Sequence, residues 1–124
     1  MTKPLAVIYY EDILLGSQVV NRLQDLGYRV STTSEPAALV EHAERELPLV
    51  LFVDSRVKSA DTCAAISHLR KLPATAHIPV IAIARERDKK LQERVLKAGA
   101  TMVAGDTAFL DQLPQLLDQV LTLE

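Results

Sequence analysis

The chain has 124 residues, the length of one domain, with 48% hydrophobic and 24% charged residues, the composition of a globular protein built on one core. A formal net charge of -2 speaks against an electrostatic nucleic-acid binder, which carries a basic excess. No apolar run approaches the roughly 20 residues that cross a bilayer, Met1-Thr2-Lys3-Pro4 lacks a secretory pattern, and the one cysteine, Cys63, suits a reducing compartment.

These limits lead to the expectation of a cytoplasmic protein of a single domain, 1–124, with neither nucleic acid nor membrane as partner. Along the chain, short β-branched runs alternate with longer amphipathic stretches. Leu5 to Tyr10 is an apolar run of strand length. From Ile13 to Leu26, the residues Leu15, Val19, Leu23 and Leu26 recur at helical spacing, and Gly27 stops the helix. Tyr28 to Thr33 reads as a less apolar, partly exposed strand. Ser34 is placed to cap a helix reaching about Glu46, with Glu35 and Pro36 suited to its first turn.

Leu49 to Val53 is apolar throughout and ends at Asp54. The next helix spans about Asp61 to Leu72, with Ala65, Ile66 and Leu69 inward, and Pro79 to Ala84 forms a fourth strand. Asp88 to Ala98 is a charged helix, with Leu91, Val95 and Leu96 inward, stopped by Gly99. Thr101 to Ala104 is a short fifth strand, and a helix from about Phe109 to Leu121 follows. Pro114 falls within or near the first turn of that helix, where its missing N–H costs little.

Five strands alternating with five helices predict an α/β fold, a mostly parallel sheet covered on both faces and doubly wound by right-handed crossovers. Such sheets hold their sites at the carboxyl ends of the strands. The residues to weigh are therefore Glu11 and Asp12, Asp54 to Val57, Arg85 to Arg87, and Gly105 to Thr107. With the first and third strands side by side, Glu11, Asp12 and Asp54 would converge. Clustered carboxylates repel and resist desolvation, so a divalent cation is expected among them, and oxygen ligands suit Mg²⁺. A carboxylate beside such a cation can attack a phosphoryl group and form an acyl phosphate. Any one of these acids is more simply read as a helix cap or a turn residue; the argument lies in the three together.

Four segments occur in an order that carries a resemblance. Glu11-Asp12 precedes an amphipathic helix ending in Leu26-Gly27-Tyr28-Arg29-Val30, and Leu47-Pro48 leads through an apolar run to Asp54. Ile78-Pro79-Val80-Ile81-Ala82-Ile83 and Lys97-Ala98-Gly99-Ala100 follow. Over essentially its whole length the chain resembles a bacterial response-regulator receiver domain. The resemblance implies a flavodoxin-like sheet of order 2-1-3-4-5 and Mg²⁺ held by Glu11, Asp12 and Asp54. It also implies that Asp54 accepts phosphate from a histidine kinase or phosphotransfer protein. One residue fewer in the first helix than is common leaves Tyr10-Glu11 as an alternative register for the acidic pair. Glu11-Asp12 is preferred, because Tyr9 and Tyr10 fit as the last strand residues, half-buried in packing.

The chain departs from the family pattern where phosphate would be held and reported. Ala84 stands where a Ser or Thr is usual, and Asp106-Thr107 stands in place of Lys-Pro. Val103 takes the place of the switch aromatic, and Arg56 to Thr62 replaces the usual Met-Pro and Asp-Gly segment. A charge-assisted hydrogen bond contributes about 1.5–3 kcal/mol, so losing the lysine costs one or two orders of magnitude in stabilising a phosphorylated state. Arg56, Lys58 and Arg85 are the basic residues that could replace it; the alternative for each is an exposed, solvated side chain.

Nothing else in the chain competes as a site. His42, His68 and His77 have no metal-ligand spacing, Cys63 has no paired base, and Arg85 to Lys90 is mixed in sign. No glycine-rich loop is present to cradle a dinucleotide. Two functions follow. One is a stand-alone phosphorelay receiver; the other is a phosphorylation-independent pseudoreceiver that binds an output protein, or a second copy, through its strand-four to helix-five face. An enzymatic reading is weaker, because no histidine or lysine sits at a strand end to act as general acid or base.

Overall fold

The computed structural model describes residues 3–121. Its elements alternate strictly: β1 (Leu5–Tyr9), α1 (Ile13–Asp25), β2 (Arg29–Thr33), α2 (Pro36–Glu46), β3 (Val50–Asp54), α3 (Ser59–Lys71), β4 (Val80–Ala84), α4 (Lys89–Ala98), β5 (Met102–Gly105) and α5 (Phe109–Leu121). All strand pairs are parallel, and the sheet order is β2-β1-β3-β4-β5, as expected. The three inner strands are buried along their whole length, whereas the edge strands β2 and β5 are not. This is why β1, β3 and β4 read as unbroken apolar runs.

Successive side chains of a strand point to opposite faces, so each inner strand feeds two cores. On one face, Val7, Tyr9, Leu51, Val53, Val80 and Ala82 pack with apolar residues of α2, α3 and α4. On the other, Ala6, Ile8, Val50, Phe52, Ile81 and Ile83 pack with α1 and α5. Phe52 and Phe109 meet edge to face at 5.9 Å between ring centres, a favoured aromatic geometry.

Several local expectations need correction. Ser34 does not cap α2: Glu35 is the N-cap, without a side-chain bond. Thr33 instead binds this turn, its Oγ1 accepting from the Glu35 amide at 3.2 Å. Helix α3 starts at Ser59, two residues before the expected Asp61, after Lys58 takes a left-handed backbone with φ of 49°. Leu26 and Leu96 lie exposed: Leu26 is the C-cap of α1, and Leu96 stands next to the buried Val95, one residue off the face that α4 packs on the sheet. Tyr9 is fully buried rather than half-buried. Pro114 stands inside α5, beyond its first turn, and has no N–H to donate to the Leu110 carbonyl.

Arg70 joins α3 to the far end of the sheet. Its Nε donates to the Gly99 carbonyl at 2.8 Å, and its Nη1 donates to the carbonyls of Ile78 at 2.7 Å and Ala76 at 3.0 Å. Its Nη2 reaches the Thr101 hydroxyl at 3.2 Å. Gly99, at φ of 125°, ends α4 against this side chain, and a Cβ there would lie 2.5 Å from Arg70 Cγ. Gly99 is thus required twice, by its backbone angle and by the closeness of the arginine.

Candidate functional site

The loops after β1, β3 and β5 open at one edge of the sheet, and a single guanidinium joins them. Asp54, the last residue of β3, is 1% exposed. Arg56 stands two residues on, where the chain turns back toward α3, and closes on it with two parallel bonds. Its Nε donates to Asp54 Oδ1 and its Nη2 to Asp54 Oδ2, each at 2.9 Å. The Arg56 backbone N–H adds a third bond to Oδ1 at 3.1 Å. This is the fork-to-fork match that arginine makes and lysine does not.

The same guanidinium reaches two further acids. Nη2 donates to Asp12 Oδ2 at 3.1 Å, and Nη1 lies 3.6 Å from Asp106 Oδ2. Arg56 therefore carries one positive charge among three carboxylates contributed by the ends of β1, β3 and β5. Bonding to Asp54 pushes its already high proton affinity higher still, so it is a permanent cation. Asp12 uses its other oxygen as the N-cap of α1, accepting from the Leu15 amide at 3.3 Å. That amide, and then Arg56, hold the Asp12 carboxyl below its ordinary value.

Glu11 faces elsewhere. Its Oε2 accepts from the Tyr9 hydroxyl and lies 3.5 Å from Lys58 Nζ. The Tyr9 bond, aided by Lys58, keeps the Glu11 carboxyl below its usual range, while burial and then Glu11 raise the Tyr9 phenol. The structure thus brings Asp12 and Asp54 together and turns Glu11 to a separate pair. Of the three basic candidates, Arg56 enters the acid cluster, Lys58 serves Glu11, and Arg85 is exposed.

Two members were not read from the sequence as partners. Asp106 was noted only as a charge reversal; its signal was that an acid in a lysine's place needs a cation from another element. The Tyr9–Glu11 bond had a signal too, since a tyrosine buried at a strand end must find a partner for its hydroxyl. At the outer rim, Thr107 Oγ1 donates to Glu86 Oε1, linking the loops after β4 and β5.

Two chemical consequences follow. A carboxylate oxygen offers two lone-pair directions; Asp54 Oδ1 has both engaged and Oδ2 has one engaged. The carboxylates also suit Mg²⁺ by type, but their facing oxygens are taken up by Arg56. Among the described residues no group of three His, Cys, Asp or Glu side chains is set to hold a metal ion. In this arrangement Arg56 stands where a cation shared by Asp12 and Asp54 would stand. Ala84, fully buried, offers no hydroxyl at the end of β4.

No family model matches the sequence, and no curated protein matches it. Solved structures do. A candidate response regulator from Chloroflexus aurantiacus superposes with a TM-score of 0.90 at 17% identity, covering 98% of this chain and 100% of that one. The receiver domain of a Pseudomonas aeruginosa sensor histidine kinase, with a magnesium ion coordinated in its active-site cleft, gives 0.85 at 20% identity, covering 97% and 98%. The Vibrio cholerae chemotaxis protein CheY4 gives 0.85 at 18%, covering 96% and 99%. The chain has the fold of response-regulator receiver domains. No helix among the described residues is long and apolar enough to cross a membrane.

Proposed function

We propose that the chain is a signalling module of receiver type that works through the proteins its surface engages, without phosphorylation of Asp54 in its working cycle. The observation that carries this reading is the two-pronged Arg56–Asp54 pair, with both bonds at 2.9 Å on a carboxylate 1% exposed. A phosphoacceptor needs an available lone pair and a cation free to draw in the phosphoryl group. Here three of the four lone-pair directions of Asp54 are engaged and the nearby cation is already paired. Ala84 brings no donor, and Asp106 sets negative charge where the family has lysine. Val103 cannot act as the aromatic switch. Similar structures include a response regulator, a chemotaxis protein and part of a sensor kinase, which supports a signalling role. An output protein or a second copy would dock on the face from β4 to α5; such a module is not an enzyme, and a cytoplasmic location accords with it.

The test is incubation with a small phosphodonor and Mg²⁺, followed by intact mass. The expected result is no added phosphoryl group, with Asp54→Ala retaining partner binding in cells. A single adduct that disappears in Asp54→Ala overturns the reading. That outcome would support a second one, a stand-alone response regulator phosphorylated on Asp54 by a histidine kinase or phosphotransfer protein, with Mg²⁺ on Glu11, Asp12 and Asp54. One observation favours it: Asp12 and Asp54 still converge within the span of one guanidinium. It requires Arg56 to leave the cluster and Glu11 to leave Tyr9.

A further inference from the structure

We infer that Arg56 is the resident cation of this site, an internal substitute for a divalent ion that closes the Asp12–Asp54–Asp106 cluster to Mg²⁺. The inference rests on reading these strand ends as the receiver-type acidic site, and it concerns cation binding alone rather than phosphate chemistry. Three observations lead to it. The guanidinium lies among carboxylates from three separate loops, at 2.9 Å from Asp54, 3.1 Å from Asp12 and 3.6 Å from Asp106, so it does the job that a metal does in gathering strand-end acids. It is tethered two residues from Asp54, and its own backbone N–H is fixed to the same carboxylate, so it is held at the site and not recruited from solution. Its side chain is only 14% exposed, so the carboxylates stand in for most of the water the guanidinium has given up.

The charges are consistent with exclusion rather than coexistence. A divalent ion bound between Asp12 and Asp54 would stand beside a fixed positive charge at contact distance. That repulsion is strong in a partly buried site. Asp106 completes the arrangement. In the usual pattern, strand five sends a cation toward the acid of strand three; here strand five sends an acid toward a cation that follows strand three. The ion pair across the mouth is kept with its two ends exchanged.

The experiment is a Mg²⁺ titration of the full chain by calorimetry and by melting temperature, without phosphodonor. Wild type should give no saturable binding and an unmoved melting temperature in millimolar Mg²⁺. Arg56→Gln and Arg56→Met should bind one Mg²⁺, with affinity raised by about tenfold or more over wild type, since one fixed unit charge beside a divalent ion is worth at least that factor. Adding Asp54→Asn to either variant should abolish the gain. Wild-type binding as tight as that of the variants overturns the inference, and so do folded variants that take up no Mg²⁺. Should both variants fail to fold, the wild-type chain still decides. The Arg56 Nε–H resonance should exchange slowly and keep its position when Mg²⁺ is added, and a saturable shift overturns the proposal. A phosphoryl adduct on wild type would count against the proposed function; Mg²⁺ binding by wild type without an adduct would count against this inference only.

Discussion

Arg56 and Asp106 face each other at 3.6 Å across the mouth of the acid cluster, one from the loop after β3 and the other just past the end of β5. Their side chains are 14% and 20% exposed, so the pair is neither a solvated surface contact nor a fully buried one. Asp106→Lys should therefore do more than remove a contact, because it sets two cations against each other. Stability should fall by about 1–2 kcal/mol. The double variant Arg56→Met with Asp106→Lys should lose less than the sum of its two single variants, because the new lysine can serve Asp54. Chemical denaturation of the four members of the cycle measures the coupling, and additive losses would refute the exchanged-pair view.

Much of the fold was legible because burial leaves a direct imprint on strands and helices. The inner strands had to be apolar on both faces, and Leu15, Val19 and Leu23 recur at the spacing that puts them against the sheet. The misread residues lie at the margins of the apolar faces: Leu26 continues the pattern as the cap of α1, and Leu96 flanks the buried Val95 without sharing its face. Asp54 and Asp12 could be found because fold topology places strand ends together. Their companions could not be chosen in the same way. Arg56, Lys58 and Arg85 are equivalent as sequence, and only the turn after β3, with Lys58 in a left-handed backbone, decides which one points inward.

Arg70 offers a second test of what arginine geometry contributes. Its guanidinium satisfies three carbonyls and the Thr101 hydroxyl, and burial lowers its proton affinity without another charge to offset it. Arg70→Lys keeps the charge but can reach only part of this set. We expect a loss of about 2 kcal/mol for lysine and about 3 kcal/mol for methionine, the scale of several buried acceptors left unpaired. Equal stability of wild type and Arg70→Met in a urea titration would show that the acceptors find water instead.

Acid should weaken the fold through Asp12 and Glu11. Both carboxyls are held below their ordinary values, the first chiefly by the Leu15 amide and the second chiefly by the Tyr9 hydroxyl. The unfolded chain then takes up protons at a higher pH than the folded one. The contribution is complete above the ordinary carboxylate range near about pH 4 and is lost as pH falls through the lowered folded-state values. Denaturation midpoints should decline below that point. Tyr9→Phe removes the leading cause at Glu11, so its acid decline should be shallower than that of wild type; parallel curves would remove Glu11 from the account.

Asp54 and Arg56 provide the sharpest contrast, because each changes what the other is worth. In wild type the Asp54 carboxylate is buried and fully compensated, so Asp54→Asn discards charge-assisted bonds and should cost about 1.5–3 kcal/mol. Arg56→Met leaves that carboxylate buried beside Asp12 without its cation, a more costly change of about 3–5 kcal/mol. The same Asp54→Asn substitution made in the Arg56→Met background should then be stabilising, since it neutralises a charge that has lost its partner. A reversal of sign is expected only if the guanidinium is what compensates the Asp54 carboxylate at 1% exposure. Denaturation of the two single variants and the double, in buffer free of divalent ions, reads the cycle directly. If Asp54→Asn destabilises equally in both backgrounds, the carboxylate is supported by something other than Arg56.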